Sequence, residues 1–272
     1  MAAGKSKIIY TLTDEAPLVR TCLLTSIMEN AVRNFSRKNM DLRLFDVAPV
    51  FYPKQLPLTE LPEEKTKLVG LITGRRQEVG WNQGNEQVDF YDMKGIVEEL
   101  FARLGISKYT VEAGEHFALH PGKTACFKKG REVIAVVGEL HPEAAENFGI
   151  KQKVYLFEMD VETLMKYTAK NFHFESLPKY PAIARDLAML VDEDVAAADI
   201  ERVIAKHGGK HFTGVTLFDV YTGKQVAAGK KSLAFNLTFQ SKDRTLKDEE
   251  ADAAFQQILA AVEQQFHAEL RA

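Results

Sequence analysis

His116 and His120 stand four residues apart, the spacing that sets two imidazoles on one helical face for zinc. The intervening Phe117-Ala118-Leu119 supplies no general-base glutamate, and Pro121-Gly122 follows at once, so the pair reads as loop histidines. Cys22 falls within an apolar helical repeat with no acid–base partner nearby in sequence, and reads as core rather than nucleophile. Gly70, Gly74 and Gly80 match neither a dinucleotide fingerprint nor a phosphate loop. With only Cys22 and Cys126, a disulfide scaffold, a four-cysteine zinc site and a cysteine-held iron–sulfur cluster are excluded, and a reducing, cytosolic setting fits. Arg75-Arg76 and the trio Lys128, Lys129 and Arg131 around Gly130 read as basic surface turns within reach of RNA.

The densest polar chemistry lies on two strands near the C-terminus. Ser232–Gln240 alternates over nine residues, with Leu233, Phe235, Leu237 and Phe239 on one face and Asn236, Thr238 and Gln240 on the other. In Val215–Tyr221, strict alternation sends Thr216, Phe218 and Val220 one way and Leu217, Asp219 and Tyr221 the other. With helices covering one face, the open face carries Asn236, Thr238, Gln240, Asp219 and Tyr221, and Arg185, Lys242 and Arg244 stand at its rim. Hydrogen-bonding groups and an aromatic ringed by cations suit unstacked single-stranded bases. A merely solvated sheet face is the plainer reading of the same alternation.

Those residues need a scaffold, and 272 residues predict two domains. A hydrophobic content of 46% allows a sizeable core, and a net charge of −3 gives no sign of a general nucleic-acid binder. No apolar run approaches the ~20 residues that span a bilayer. The start, Met-Ala-Ala-Gly-Lys-Ser-Lys, lacks the apolar stretch of a signal peptide and reads as a scar or the cut edge of a longer chain. Pro178 and Pro181 stiffen a join, so the boundary is set near 174, giving domains 1–173 and 174–272.

The first domain reads as α+β around a mostly antiparallel sheet. A helix over 18–38 starts behind Asp14-Glu15-Ala16-Pro17, carries Val19, Leu23, Ile27, Met28, Ala31, Val32 and Phe35 on one face, and stops at Asn39. Strands follow at 42–47, continuing through 50–52, and at 67–73, 124–127, 133–138 and 154–159, with a helix at 92–104 and a short one from Pro142 to Gly149. The second domain reads strand 186–191, helix 199–207, strand 215–221, strand 232–240, helix 247–266 and edge strand 268–271. That βαββαβ order is the ferredoxin-like arrangement.

Leu177-Pro178-Lys179-Tyr180-Pro181, Arg185-Asp186-Leu187-Ala188, Leu217-Phe218-Asp219-Val220-Tyr221, Lys231-Ser232-Leu233-Ala234, the run Phe239–Leu246 and Ala268-Glu269-Leu270-Arg271 closely resemble one family. It is the ferredoxin-fold anticodon-binding domain that ends the bacterial phenylalanyl-tRNA synthetase beta subunit, matched over 176–271. Leu18–Leu24, Val88–Gly95, His120-Pro121-Gly122-Lys123 and Val137–Pro142 are similar to the preceding domain of that subunit, a degenerate relative of the class II synthetase catalytic module. The resemblance implies the C-terminal part only. The family's editing domain, N-terminal RNA-binding domain and magnesium ligands belong to other parts.

What this implies is specific. The whole enzyme, cytoplasmic and without membrane or DNA partners, uses ATP and magnesium to activate phenylalanine and esterify tRNA(Phe), as an (αβ)2 heterotetramer with the catalytic alpha subunit. This part needs no cofactor, holds no metal and has no catalytic residue. Active class II modules hold ATP with two arginines. Here Ala48–Pro53 carries no Arg–Glu pair, and no arginine follows Gly138, so the first domain is expected to be a support. Its helix 18–38 is the expected packing surface for other subunits. Joined to the sheet reading, the resemblance gives an RNA-binding set of Lys179, Tyr180, Arg185, Asp219, Tyr221, Asn236, Thr238, Gln240, Ser241, Lys242 and Arg244. A non-enzymatic regulatory protein binding a small ligand on the same fold is the alternative.

Overall fold

The computed structural model describes residues 20–55, 59–170, 176–223 and 226–270. It divides into two compact units, 1–172 and 173–272. The expected helix start at 14–17, residues 18 and 19, the join at 174 and Arg271 lie outside the described residues.

The first unit is built on α1 (Leu24–Ser36), β1 (Leu42–Tyr52), β2 (Glu63–Thr73), α2 (Phe90–Arg103), β3 (Thr110–Ala113), β4 (Leu119–Lys129), β5 (Glu132–Leu140), α3 (Pro142–Asn147), β6 (Val154–Asp160) and α4 (Val161–Tyr167). Its six strands pair antiparallel in the order β1-β2-β6-β5-β4-β3. One sheet face packs with α1 around Leu23, Ile27, Met28, Ala31, Val69, Leu71 and Leu156. The other packs with α2 around Met93, Val97, Phe101, Phe127, Val137 and Phe157.

The first helix is shorter than its apolar repeat suggests. Cys22 precedes it, and Lys38 takes a φ of 66° while the Asn39 amide donates to the Asn34 carbonyl at 3.1 Å, which closes the helix just before the expected stop. Its apolar face is buried in the unit's own core. The expectation that this helix offers a surface to other subunits is therefore corrected. The exposed apolar side chains stand instead on β1, where Phe45 is 77% and Val47 50% exposed. β1 runs unbroken through Pro49 because it is an edge strand, with a ladder on one side only.

Arg76 is likewise not a free surface cation. Asp89 caps α2, accepting from the Tyr91 and Asp92 amides at 2.8 and 3.0 Å, and the Asp92 carboxylate returns to the Asp89 amide at 2.8 Å. Arg76 clamps this box, donating to Asp92 at 2.9 Å and to Glu86 at 2.6 Å. Burial pushes the Asp92 carboxyl up, but the bonds from Arg76 and from the Asp89 amide outweigh it and hold the group below the usual carboxylate range. Lys128 is paired too, with Glu112 at 2.9 Å.

The second unit runs β7 (Ile183–Asp192), α5 (Ala197–His207), β8 (Phe212–Tyr221), β9 (Lys230–Phe239), α6 (Asp248–Phe266) and β10 (Glu269–Leu270). The sheet order β10-β7-β9-β8 is antiparallel between neighbours and follows the ferredoxin-like pattern. Leu187, Met189, Ile200, Ile204, Phe235, Ile258 and Val262 form the core between the sheet and the two helices.

Candidate nucleic-acid interface

β9 fixes the geometry, because it pairs on both sides. Leu233, Phe235, Leu237 and Phe239 are buried under the helices. Ser232, Ala234, Asn236 and Thr238 therefore face away from them. Direct partners in an antiparallel ladder share a face. Asp186 lies opposite Asn236, and Asp219 and Tyr221 lie opposite Ala234 and Ser232, so all three join the open face. The Asn236 amide donates to Asp186 at 2.7 Å.

β8 departs from strict alternation. Leu217 is opposite Phe235, yet Asp219 is opposite Ala234, so Phe218 is an extra residue at a bulge and is 57% exposed. The slip reverses the side chains before it. Leu217 enters the core and Thr216 joins the open face opposite Asn236, both contrary to the alternation reading. Asp219 and Tyr221, beyond the bulge, keep the expected face. Tyr221 ends its strand under Gly223, where a Cβ would meet the phenol oxygen at 2.5 Å.

The two arginines expected at the rim are elsewhere. Arg185 pairs with Leu237 across the ladder and so lies on the helix face, donating to Asp252 and Asp248 of α6, each at 2.8 Å. The signal was in the sequence, since Arg185 shares parity with Leu187, Met189 and Val191. Arg244 makes a bidentate pair with Glu250 at 2.6 Å for each bond, and Glu250 is pulled down to about 2 chiefly by that pairing. Both guanidiniums fasten the sheet and its following loop to the start of α6.

Lys179, Tyr180, Gln240, Ser241 and Lys242 gather at the end of the sheet where β9 leaves and β7 and β8 begin. Gln240 is turned to the backbone rather than to the open face. Its side chain donates to the Tyr180 carbonyl at 2.6 Å and its amide to the His211 carbonyl at 2.7 Å. Ser241 is buried and accepts from the Asp243 amide at 3.3 Å. Lys179 and Lys242 are exposed.

The first unit has a half-buried polar group on the α1 side of its sheet. Lys67 lies 3.5 Å from Glu158 and 3.7 Å from Asp160. Burial, then Glu158, push the Cys22 thiol up, so it stays protonated and is no nucleophile. Burial pushes His116 down, and its Nδ1 accepts from the Ala118 amide at 3.3 Å. His120 opens β4 rather than lying in a loop, and accepts from the Gly122 amide at 3.0 Å. Among the described residues no group of three or more metal-ligating side chains is placed to hold an ion. The group offers a triphosphate no free cation, because Lys67 is already matched by Glu158 and Asp160.

A family model described as phenylalanyl tRNA synthetase beta chain CLM domain matches residues 3–161, and one described as ferredoxin-fold anticodon binding domain matches 178–271. The chain belongs to the phenylalanyl-tRNA synthetase beta chain family. It is 40% identical over 97% of its length to the phenylalanine–tRNA ligase beta subunit of Syntrophotalea carbinolica, covering 33% of that protein. To the subunit of Halalkalibacterium halodurans it is 39% identical over 97% of its length, again covering 33%. The chain thus spans about a third of the curated relatives it matches. Two pyrrolysyl-tRNA synthetase structures from Desulfitobacterium hafniense align with 58% of the chain at a TM-score of 0.41 and 14% and 16% identity, covering 52% and 51% of those chains. That likeness is too slight to argue from. Among the described residues no helix is long and apolar enough to cross a membrane.

Proposed function

We propose that the chain is the C-terminal portion of a phenylalanine–tRNA ligase beta subunit, with the second unit holding the anticodon arm of tRNA(Phe). The observation that carries this is the open sheet face of that unit. Asp219, Tyr221, Asn236, Thr216 and Thr238 share it, inside the segment that matches an anticodon-binding domain. One aromatic ring, two hydroxyls, an amide and carboxylates can stack on one base and accept or donate at the edges of others. Binding of the phenylalanine anticodon stem-loop, compared with a stem-loop of changed anticodon, tests it; tighter binding of the first is expected, and equal binding refutes base reading on this face.

The first unit is a support of class II synthetase-like type. Phe45 and Val47 on the β1 edge give it an exposed apolar strip suited to a protein partner, the catalytic alpha subunit of a cytoplasmic (αβ)2 assembly. ATP and magnesium act in the whole enzyme, on the alpha subunit. The purified chain is expected to show no phenylalanine-dependent exchange of pyrophosphate into ATP. Exchange above background would overturn the reading of this unit as a support.

A further inference from the structure

An RNA strand on the open face has a charge problem. That face carries Asp186 and Asp219, and Arg185 and Arg244 are held by carboxylates of α6. The segment 174–272 holds 12 Lys and Arg against 15 Asp and Glu. The phosphates must therefore meet a local cation source. A cleft of about 1170 Å³ opens at the end of the sheet, between residues 176–179, 210–213 and 240–243. Each of these three stretches contributes one lysine: Lys179, Lys210 and Lys242. All three are exposed, and among the described residues none is seen in an ion pair. Asp243 is the one acid in the lining. The walls are braced by backbone carbonyls, since Gln240 bonds both His211 and Tyr180.

We infer that this cleft seats phosphodiester groups of the RNA strand whose bases lie on the open face. The inference rests on the anticodon-arm reading and deepens it. Asp219 lies opposite Ala234, and Gln240 is six residues further along, so at about 3.3 Å per residue the base-reading end and the cleft are roughly 20 Å apart. A strand of several nucleotides reaches both. Lys210 carries no sequence pattern, following Gly208 and Gly209 in the turn after α5, and only the folded chain joins it to the other two.

The test uses the 272-residue chain with Lys179→Gln, Lys210→Gln and Lys242→Gln together, and a charge-matched control with Lys151→Gln, Lys170→Gln and Lys206→Gln. Affinities for the two stem-loops are measured across a salt series. Each lost phosphate contact to a single strand lowers the slope of log affinity against log salt by about 0.7, so the triple variant should lose about 2. Both RNAs should weaken by the same factor, and the control should keep the parental slope. An unchanged slope in the triple variant, or an equal drop in the control, overturns the cleft. So does displacement of RNA by inorganic phosphate at matched ionic strength, which would mark a free-anion site. Equal binding of both stem-loops with the slope still lost in the triple variant keeps the cleft and refutes base reading. No binding of either RNA at low salt refutes both.

Discussion

Gly70→Val should unfold the first unit at temperatures where the second stays folded. Gly70 sits in β2 opposite Phe157 of β6, and a Cβ there would lie 2.1 Å from a ring carbon of Phe157. The ring has nowhere to go, because it belongs to the buried cluster around α2. Overpacking usually costs about 1–3 kcal/mol and more where the neighbour is fixed. A domain stable by only about 5–15 kcal/mol feels such a loss strongly. Calorimetry should show one transition shifted down or gone and the other in place. Phe157→Ala alone should cost about 3–5 kcal/mol. In that background Gly70→Ala should become nearly harmless, because the clash has been removed; strict additivity of the two changes would contradict this account.

Tyr221→Ala should weaken the phenylalanine anticodon stem-loop by roughly 1–3 kcal/mol, the contribution of one base stacked on an aromatic ring. Tyr221→Phe should retain most of the affinity, since the ring stays. Asp219→Asn should act differently: it replaces a two-oxygen acceptor by a group that also donates, so the ratio between stem-loops should move more than the affinity itself. Arg185→Ala is the internal control. Its guanidinium faces α6 and not the open face, so both the ratio and the salt slope should hold. If Tyr221→Ala and Asp219→Asn leave the ratio intact, the sheet face is not where bases are read.

Most of the second unit was legible because its signals are local. Leu233, Phe235, Leu237 and Phe239 alternate without exception, and their strand pairs on both sides. The failures were of another kind. A bulge at Phe218 has no mark in the one-dimensional pattern, and it turned Thr216 and Leu217 to the opposite faces. The charge of Arg185 suggests the rim, but its parity with Leu187 and Met189 puts it on the helix side. Asp248 and Asp252 meet its guanidinium there, a pairing across more than sixty residues of sequence that periodicity does not contain. In the first unit the apolar face of α1 is plain in the spacing of Leu23, Ile27, Met28 and Ala31. Whether such a face serves the domain's own core or a partner depends on the sheet beneath it, which periodicity does not contain. β3, with four residues, and α4, with seven, are too short for a periodic signal.

The most direct measurement of the central claim is hydroxyl-radical footprinting of tRNA(Phe) by the 272-residue chain. Protection of the anticodon arm, with the acceptor end as reactive as in free tRNA, is the result predicted. Protection of the acceptor end with a fully reactive anticodon arm would contradict it.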